Sequence, residues 1–213
     1  MLIDSVQGLW NAYDLTLRTM EQLTMFSIAL AVTLTVGIAL GVVFFSSFQA
    51  RAAGFAILNI VEMIPDIALL ILLIPLIGIG VPPTITAAVL YSLLPVARNT
   101  TAGLSGVSSD LIETARAIGL TGNETLFRVR FPLALPLIAA GVRIAVIFCM
   151  GVVTLGGIIG AGGLGAPLQT GITTNNDLLI MVTGGWVAIL AVTMDGLAAG
   201  ITRLLLKRYG GGA

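Results

Sequence analysis

Long stretches without any charged residue are the feature that most restricts how this chain folds. No Asp, Glu, Lys or Arg occurs between Gln22 and Ala50, or between Ile144 and Asn176. About 20 consecutive apolar residues are enough to cross the core of a bilayer as a helix. Because 57% of the 213 residues are hydrophobic and only 9% are charged, we expect an all-α polytopic membrane protein rather than a soluble globule.

Charged and turn-forming residues divide the apolar sequence into about five predicted spans. Arg51 separates the first two spans, the short link 78–83 makes a hairpin of the second and third, and glycines end the fourth near Ile159. The predicted spans cover about residues 24–48, 52–77, 83–104, 137–159 and 178–205.

The distribution of cations predicts the orientation of these spans, since cytoplasmic loops carry an excess of Lys and Arg. With the N-terminus outside, nine of the ten cationic residues lie on the cytoplasmic side, and Arg18 alone lies outside. We therefore expect residues 1–22 to be extracytoplasmic, 23–206 to form the membrane domain and the tail 207–213 to be cytoplasmic. Residues 1–22 lack the basic start of a signal peptide, so no cleavage is expected.

Composition argues against several classes of function. The chain has no His, one Cys (Cys149) and one Lys (Lys207), so we expect no metal site, disulfide framework or catalytic residue. A net charge of zero does not favour nucleic acid as a partner. The Gly-x-Ser-Gly pattern around Ser105 matches rhomboid-type serine proteases, but the sequence offers this serine no base. An intramembrane protease and a passive channel are the rival interpretations.

One extended polar region, residues 105–132, lies between the third and fourth spans. Asp110 followed by Glu113 predicts the capped start of a short helix. Gly119 lies where such a helix would end in a left-handed residue.

A second short helix is predicted to follow. Thr121 with Glu124 repeats the capping pattern, and Pro132 is expected to end or kink the helix. A cytoplasmic hairpin that only links two spans would give the same local signals.

This polar region resembles the EAA signature in the membrane subunits of bacterial ABC importers. The signature reads Glu-Ala-Ala, three residues, Gly, nine residues and Ile-x-Leu-Pro. Its counterparts here are Glu113-Thr114-Ala115, Gly119 and Val129-Arg130-Phe131-Pro132. The departures are Thr for the first Ala, Val for Ile and Phe for Leu.

Other segments resemble the osmoprotectant branch of these importers, which carries glycine betaine, choline, carnitine and related quaternary ammonium solutes. The matching segments are 64–70, 73–80, 94–100, 132–136 and 159–165. Methionine and phosphonate permeases have a similar Gly-Gly-Leu-Gly segment, so an importer of another small solute stays open. The resemblance leaves the exact solute undecided.

The resemblance implies the type I ABC importer permease fold in a bacterial inner membrane. Residues 105–132 would then carry coupling helices that dock on a separate ATPase dimer, which uses ATP and Mg²⁺. This chain has no phosphate-binding loop of its own. An extracytoplasmic binding protein and a second permease, identical or closely related, are the other implied partners. The candidate coupling residues are Glu113, Ala115, Arg116, Gly119, Leu120, Arg128 and Pro132.

Arg116, Arg128 and Arg130 are candidates for ion pairs with the ATPase. Exposed arginines of this kind are also commonly solvated without a partner. Glu113 is expected to cap and orient the first short helix.

Charges inside a predicted span mark candidate functional sites. Glu62 and Asp66 are four residues apart, so they share a face if the helix is continuous, and Pro65 would kink it. They either face the pathway and stabilise a cationic solute, or lie near the cytoplasm, reaching water or pairing with an Arg.

Asp195, in the fifth predicted span, is expected to pair with Arg143 or Arg203, or to lie in a polar helix interface. The two Trp, three Tyr and eight Phe residues form no cluster in the sequence that resembles an aromatic cage. Selectivity is therefore expected to lie mainly in the binding protein. Trp10 and Trp186, like Tyr13, are interpreted as interfacial anchors or as ligands.

Six glycines between residues 156 and 165 lie between the fourth and fifth predicted spans. Glycine permits sharp bends and close backbone contacts. The candidate outer gate consists of Gly160, Gly162, Gly163 and Gly165. Close helix packing, as expected for Gly37 and Gly41, is the alternative.

Overall fold

The computed structural model describes residues 2–209, with side chains described for 5–208. Its helices are α1 (Leu2–Ala12), α2 (Leu15–Ser46), α3 (Phe48–Met63), α4 (Asp66–Ile77), α5 (Val81–Ser105), α6 (Ser109–Ala117), α7 (Gly122–Thr125), α8 (Phe131–Leu155), α9 (Gly165–Thr173) and α10 (Asp177–Tyr209). A π-helical turn (Leu126–Arg130) precedes α8, and a 3-10 turn (Gly156–Ile159) follows it. No strand occurs in the described range, so the all-α prediction is confirmed.

Helix α5 lies at the centre of the bundle. It packs along α8 and α2, and α3 and α4 also contact it. Val96 and Ala97 of α5 are fully buried. A Cβ added at Gly41 of α2 would lie 2.7 Å from Cγ2 of Thr100, and one at Gly37 would lie 2.8 Å from Cγ1 of Val96. The prediction that these two glycines serve close helix packing is confirmed.

The number of spans depends on how α3, α4 and α5 are counted. By length and apolarity, α2, α10 and the helix that includes α8 each suffice to cross a membrane. Helices α3 and α4 together would make a fourth span, although they are bent by 102°. Helix α5 is less apolar than these helices, yet its 25 residues extend about 37 Å. The predicted count of five is therefore approximate and requires α5 to cross.

The first long helix begins earlier than predicted. Helix α2 starts at Leu15, and both Leu15 and Gln22 are completely buried. The end of the predicted extracytoplasmic segment is therefore part of the bundle. The polar residues of this segment lower its mean hydropathy, but Arg18 and Glu21 form a half-buried ion pair with each other.

Of the two predicted effects of Pro132, an end of the second short helix was wrong. Helix α7, the π-helical turn and α8 run on as one helical stretch from Gly122 to Ile159. In the π-helical turn, the N–H of Phe131 donates to the carbonyl of Leu126, five residues back. Because Pro132 lies in the first turn of α8, directly after this widened turn, the helix accommodates its ring and its missing N–H.

Candidate functional site

The end of α6 explains why its sequence contains a glycine. The N–H of Leu120 donates to the carbonyl of Ala115 (3.0 Å), and the N–H of Gly119 donates to that of Arg116 (2.9 Å). These two bonds make a Schellman motif, which needs a left-handed residue at Gly119. Its φ of +88° confirms the predicted left-handed end.

The start of α6 differs from the prediction. The N-cap is Ser108, and no side chain caps the helix there. Asp110 is the second helical residue, where its carboxylate instead interacts favourably with the positive end of the helix dipole. Glu113 is exposed in the middle of α6, so the expectation that it caps the first helix was wrong. The N-cap lies two residues too early for the Asp110–Glu113 pair to act as a capping box.

The second capping prediction is confirmed. The Thr121 N–H donates to the Glu124 carboxylate (3.0 Å), and the Glu124 N–H donates to the Thr121 hydroxyl (3.3 Å). The hydrogen bonds from the Thr121 backbone and side chain, aided by Arg128, hold the pKa of the Glu124 carboxyl below its ordinary value. This carboxylate therefore stays ionised and fixes the entry into α7.

The segment predicted to couple to the ATPase (residues 105–132, the coupling segment) exposes both large apolar side chains and cations. Leu111, Ile118 and Phe127 expose 48%, 74% and 64% of their surface. Arg116 and Arg128 are exposed as well. Large exposed apolar side chains are typical of a protein contact where they form one patch.

Arg130 does not belong to this exposed surface, contrary to expectation. Its guanidinium donates to the carbonyl of Leu104 (2.7 Å) at the end of α5. It also lies 5.0 Å from the ring centroid of Phe45 in α2. Arg130 therefore ties the start of α8 to α5 and α2, and its charge is used within the chain.

Helix α3 ends, and α4 begins, at the predicted proline. Ile64 and Pro65 have extended backbone, and Asp66 is the first residue of α4. The Tyr91 hydroxyl of α5 donates to the carbonyl of Ile64, which the break leaves without a helical partner. Glu62 and Asp66 thus lie on different helices, so the condition for a shared face is not met, and the kink predicted at Pro65 is present as a full break of 102°.

The residues around the break between α3 and α4 show which partners are available to Glu62 and Asp66. Tyr91 belongs to the middle of α5 and makes an edge-to-face contact with Phe148 of α8, with centroids 6.4 Å apart. Arg98 donates to Asn59 (2.7 Å) rather than to either acid. Within residues 5–208, neither Glu62 nor Asp66 forms an ion pair. The pairing with a neighbouring Arg that one interpretation invoked is therefore not present.

Asp195 pairs with Arg143, as one of the predicted alternatives stated. The Arg143 side chain donates two hydrogen bonds to the Asp195 carboxylate, of 3.0 and 2.8 Å.

The aromatic residues near the N-terminus pack within the bundle. Trp10 and Trp186 contact each other edge to face, with ring centroids 5.1 Å apart, and both pack with Tyr13 against the main hydrophobic core. The two tryptophans therefore help to pack α1 against α10.

The glycine loop (residues 156–165) has the backbone that its composition predicts. Gly160, Gly162 and Gly163 have φ values of +78°, +82° and +64°. A Cβ at Gly165 would collide with the Thr154 carbonyl and with Gly157. The loop is therefore shaped by left-handed glycines and by direct backbone packing.

Two residues of the predicted N-terminal segment bind this loop, and sequence reasoning missed them. Glu21 accepts the N–H of Gly163 (2.8 Å), and Gln22 accepts that of Leu164 (3.3 Å). The only hint in the sequence is a cluster of polar residues at the edge of a long apolar run.

Comparison with known proteins identifies the family. Residues 12–208 match the family described as binding-protein-dependent transport system inner membrane component. The chain belongs to this family. The permease is 37% identical over 185 residues to the glycine betaine/carnitine/choline transport system permease protein OpuCB of Bacillus subtilis, covering 87% of this chain and 85% of that protein. It is also 37% identical to the osmoprotectant import permease protein OsmW of Salmonella typhimurium, covering 87% and 88%.

Among solved structures, the permease is similar to the MetNI methionine ABC transporter in inward-facing conformations. The TM-score is 0.77 at 27% identity, covering 88% of this chain and 94% of that one. The type I ABC importer permease fold is thereby confirmed. The permease is a membrane transport subunit and not an enzyme, and it works with a separate ATPase and a binding protein.

Proposed function

We propose that this permease carries a quaternary ammonium solute such as glycine betaine, choline or carnitine across the membrane. The observation that carries this proposal is the pair of relatives at 37% identity, one named for those three solutes and the other for osmoprotectants. The methionine transporter of similar fold is less similar in sequence, at 27% identity. Methionine or phosphonate import is therefore the second candidate.

The break between α3 and α4 supports a cationic solute. A quaternary ammonium group has no N–H to donate, so carboxylates and aromatic faces are what stabilise it outside water. Glu62 and Asp66 flank the break without an ion pair among the described residues, and Tyr91 and Phe148 lie beside it. Broken helices often form solute sites in transporters, so we assign Glu62, Pro65 and Asp66 to the solute path.

The coupling segment is proposed to dock on the ATPase, where ATP and Mg²⁺ are used. Its apolar residues Ile118 and Phe127 are exposed, and Arg116 and Arg128 supply charge for the contact. Gly119 sets the turn that presents them. The residues proposed for this coupling are Glu113, Ala115, Arg116, Gly119, Leu120, Arg128 and Pro132.

The orientation and the assembly follow from the same proposal. The excess of Lys and Arg on one side supports an outer N-terminus and a cytoplasmic C-terminus in a bacterial inner membrane. The glycine loop then lies outside, where Gly160, Gly162, Gly163 and Gly165 form an outer gate facing the binding protein. One permease gives half of a pathway, so a second copy or a close relative completes it above an ATPase dimer.

The test is ATP-dependent uptake of radiolabelled glycine betaine, choline and carnitine into proteoliposomes that contain the permease with its ATPase and binding protein. We expect uptake of at least one of the three. Failure with all three, together with ATPase stimulation by methionine or a phosphonate, would reject the solute class and keep the importer.

A further inference from the structure

Two adjacent residues of α2 hold the second half of the glycine loop. The carboxylate of Glu21 and the carboxamide oxygen of Gln22 accept the N–H groups of Gly163 and Leu164, at 2.8 and 3.3 Å. We call this pair of contacts the α2 clasp. The earlier N–H groups of the loop, by contrast, close a turn on the carbonyls of residues 156 and 157. The seating of the loop's second half thus depends on side chains of another helix.

The acceptors of the clasp are themselves fixed. Arg18 donates to the Glu21 carboxylate (2.9 Å), and the amide nitrogen of Gln22 donates to the Thr154 hydroxyl of α8 (2.9 Å). Gln22 is completely buried. If the loop lifts away, the Gln22 oxygen loses its partner inside the bundle, which carries a free-energy penalty. The clasp therefore joins α2, α8 and the loop at one point.

Two glycines of the loop fit the clasp as well as the turn. A Cβ at Gly162 would lie 2.7 Å from Oε2 of Glu21, and one at Gly163 would lie 2.7 Å from Oε1 of Gln22. Any larger residue at either position would push the acceptor away. These glycines are thus required by the approach of α2 in addition to their positive φ.

We propose that Glu21 and Gln22 are positioning residues of the outer gate. They keep the glycine loop seated at the end of the bundle, and the clasp releases when the binding protein delivers its solute. This inference rests on the proposed function in one respect, because it takes the glycine loop as the outer gate. It does not depend on which solute is carried.

The first arm of the test measures hydrogen exchange of the loop in the assembled transporter. Glu21→Ala and Gln22→Met each remove an acceptor, so the amides of residues 163 and 164 should exchange roughly tenfold faster. Glu21→Gln retains an acceptor oxygen and should remain close to wild type. Thr24→Ala is the matched control on α2, since the Thr24 hydroxyl bonds to the Met20 carbonyl of its own helix.

The second arm measures ATPase activity in proteoliposomes, without and with the binding protein loaded with glycine betaine, choline or carnitine. A gate loosened by Glu21→Ala or Gln22→Met should raise the ATPase activity measured without binding protein about twofold or more. In Glu21→Ala and Gln22→Met, the amount of solute taken up per ATP hydrolysed should fall. Glu21→Gln should keep both this ratio and the ATPase activity without binding protein close to their wild-type values. A residue with only a structural role would instead lower both activities in proportion to the amount of assembled transporter.

Either arm can overturn the proposal. Unaltered exchange in Gln22→Met would mean that the clasp does not hold the loop. Faster exchange with wild-type coupling would mean that the loop is held but does not gate. Failure of the wild-type transporter to import the three amines would reject the solute class alone, because the exchange arm is read without any solute.

Discussion

The guanidinium of Arg143 in α8 faces the carboxylate of Asp195 in α10, and two hydrogen bonds of 3.0 and 2.8 Å join them. A two-point Arg–carboxylate contact fixes both the distance and the direction of its partners. Both residues lie within long apolar helices, where an unpaired charge is unfavourable. The pair therefore sets how α10 lies against α8.

Replacing Asp195 by Ala should leave Arg143 unpaired and lower the thermal denaturation temperature of the purified permease by several degrees. The exchanged pair Arg143→Asp with Asp195→Arg should recover most of the loss, because it restores opposite charges. Thermal unfolding in detergent, followed by size-exclusion chromatography, measures both variants. Equal stability of Asp195→Ala and wild type would mean that the contact contributes nothing.

Gly119→Asp should leave the permease in the membrane but release the ATPase. A side chain at a left-handed position costs roughly 1–2 kcal/mol, and the Schellman turn that presents the coupling segment would rearrange. Gly122→Asp is a matched control, because an added Cβ at Gly122 meets nothing within 4 Å and an acid suits the first turn of α7. ATPase co-purification is the measurement, and normal co-purification of Gly119→Asp would contradict the coupling role.

Glu62→Gln and Asp66→Asn should each raise the apparent KM for a quaternary amine roughly fivefold, the effect of losing one partly solvated charge contact. The maximal rate of uptake should change little, since the coupling segment is untouched. Glu62→Asp keeps the charge and serves as the control. A KM that is unaltered in both neutral variants would place the carboxylates outside the solute path.

Gly41→Ala should destabilise the permease by about 1–3 kcal/mol, the usual effect of overfilling a close contact. The new methyl group would meet Thr100 of α5 and also lie 3.0 Å from the Ala97 carbonyl oxygen. Gly151→Ala is the control in α8, where a Cβ meets nothing within 4 Å. Thermal unfolding of the two variants, compared with wild type, tests this packing.

Local patterns in the sequence correctly predicted the structural features that depend on only a few neighbouring residues. The end of α6 at Gly119 and the capping box at Thr121 each require only a short segment in the right order, so the structure matches them. Asp110 failed as a cap because the choice between Asp110 and Ser108, two residues earlier, depends on how the helix packs. The predicted end of the helix at Pro132 failed because a π-helical turn accommodates the proline, and single-sequence rules do not anticipate such a turn.

Contacts between segments that are distant in the sequence could not be predicted from local patterns. Glu21 and Gln22 meet a loop more than a hundred residues away, and nothing in either segment alone indicates the other. The same holds for Arg130, whose partner carbonyl belongs to Leu104. The Arg143–Asp195 pair was predicted only as one alternative, because two opposite charges in apolar helices must meet something.

The lower apolarity of α5, compared with α2, α8 and α10, should also affect how the protein is made. Helices α2 and α10 and the helical stretch that includes α8 are long and apolar enough to enter lipid on their own, whereas α5 contributes buried hydroxyl groups such as those of Ser92 and Thr101. A helix of this kind enters the bilayer less readily by itself during biosynthesis. Its insertion would then be completed late, after α8 emerges from the ribosome and can shield it. A chain truncated before α8 should therefore leave α5 partly exposed to membrane quality-control proteases.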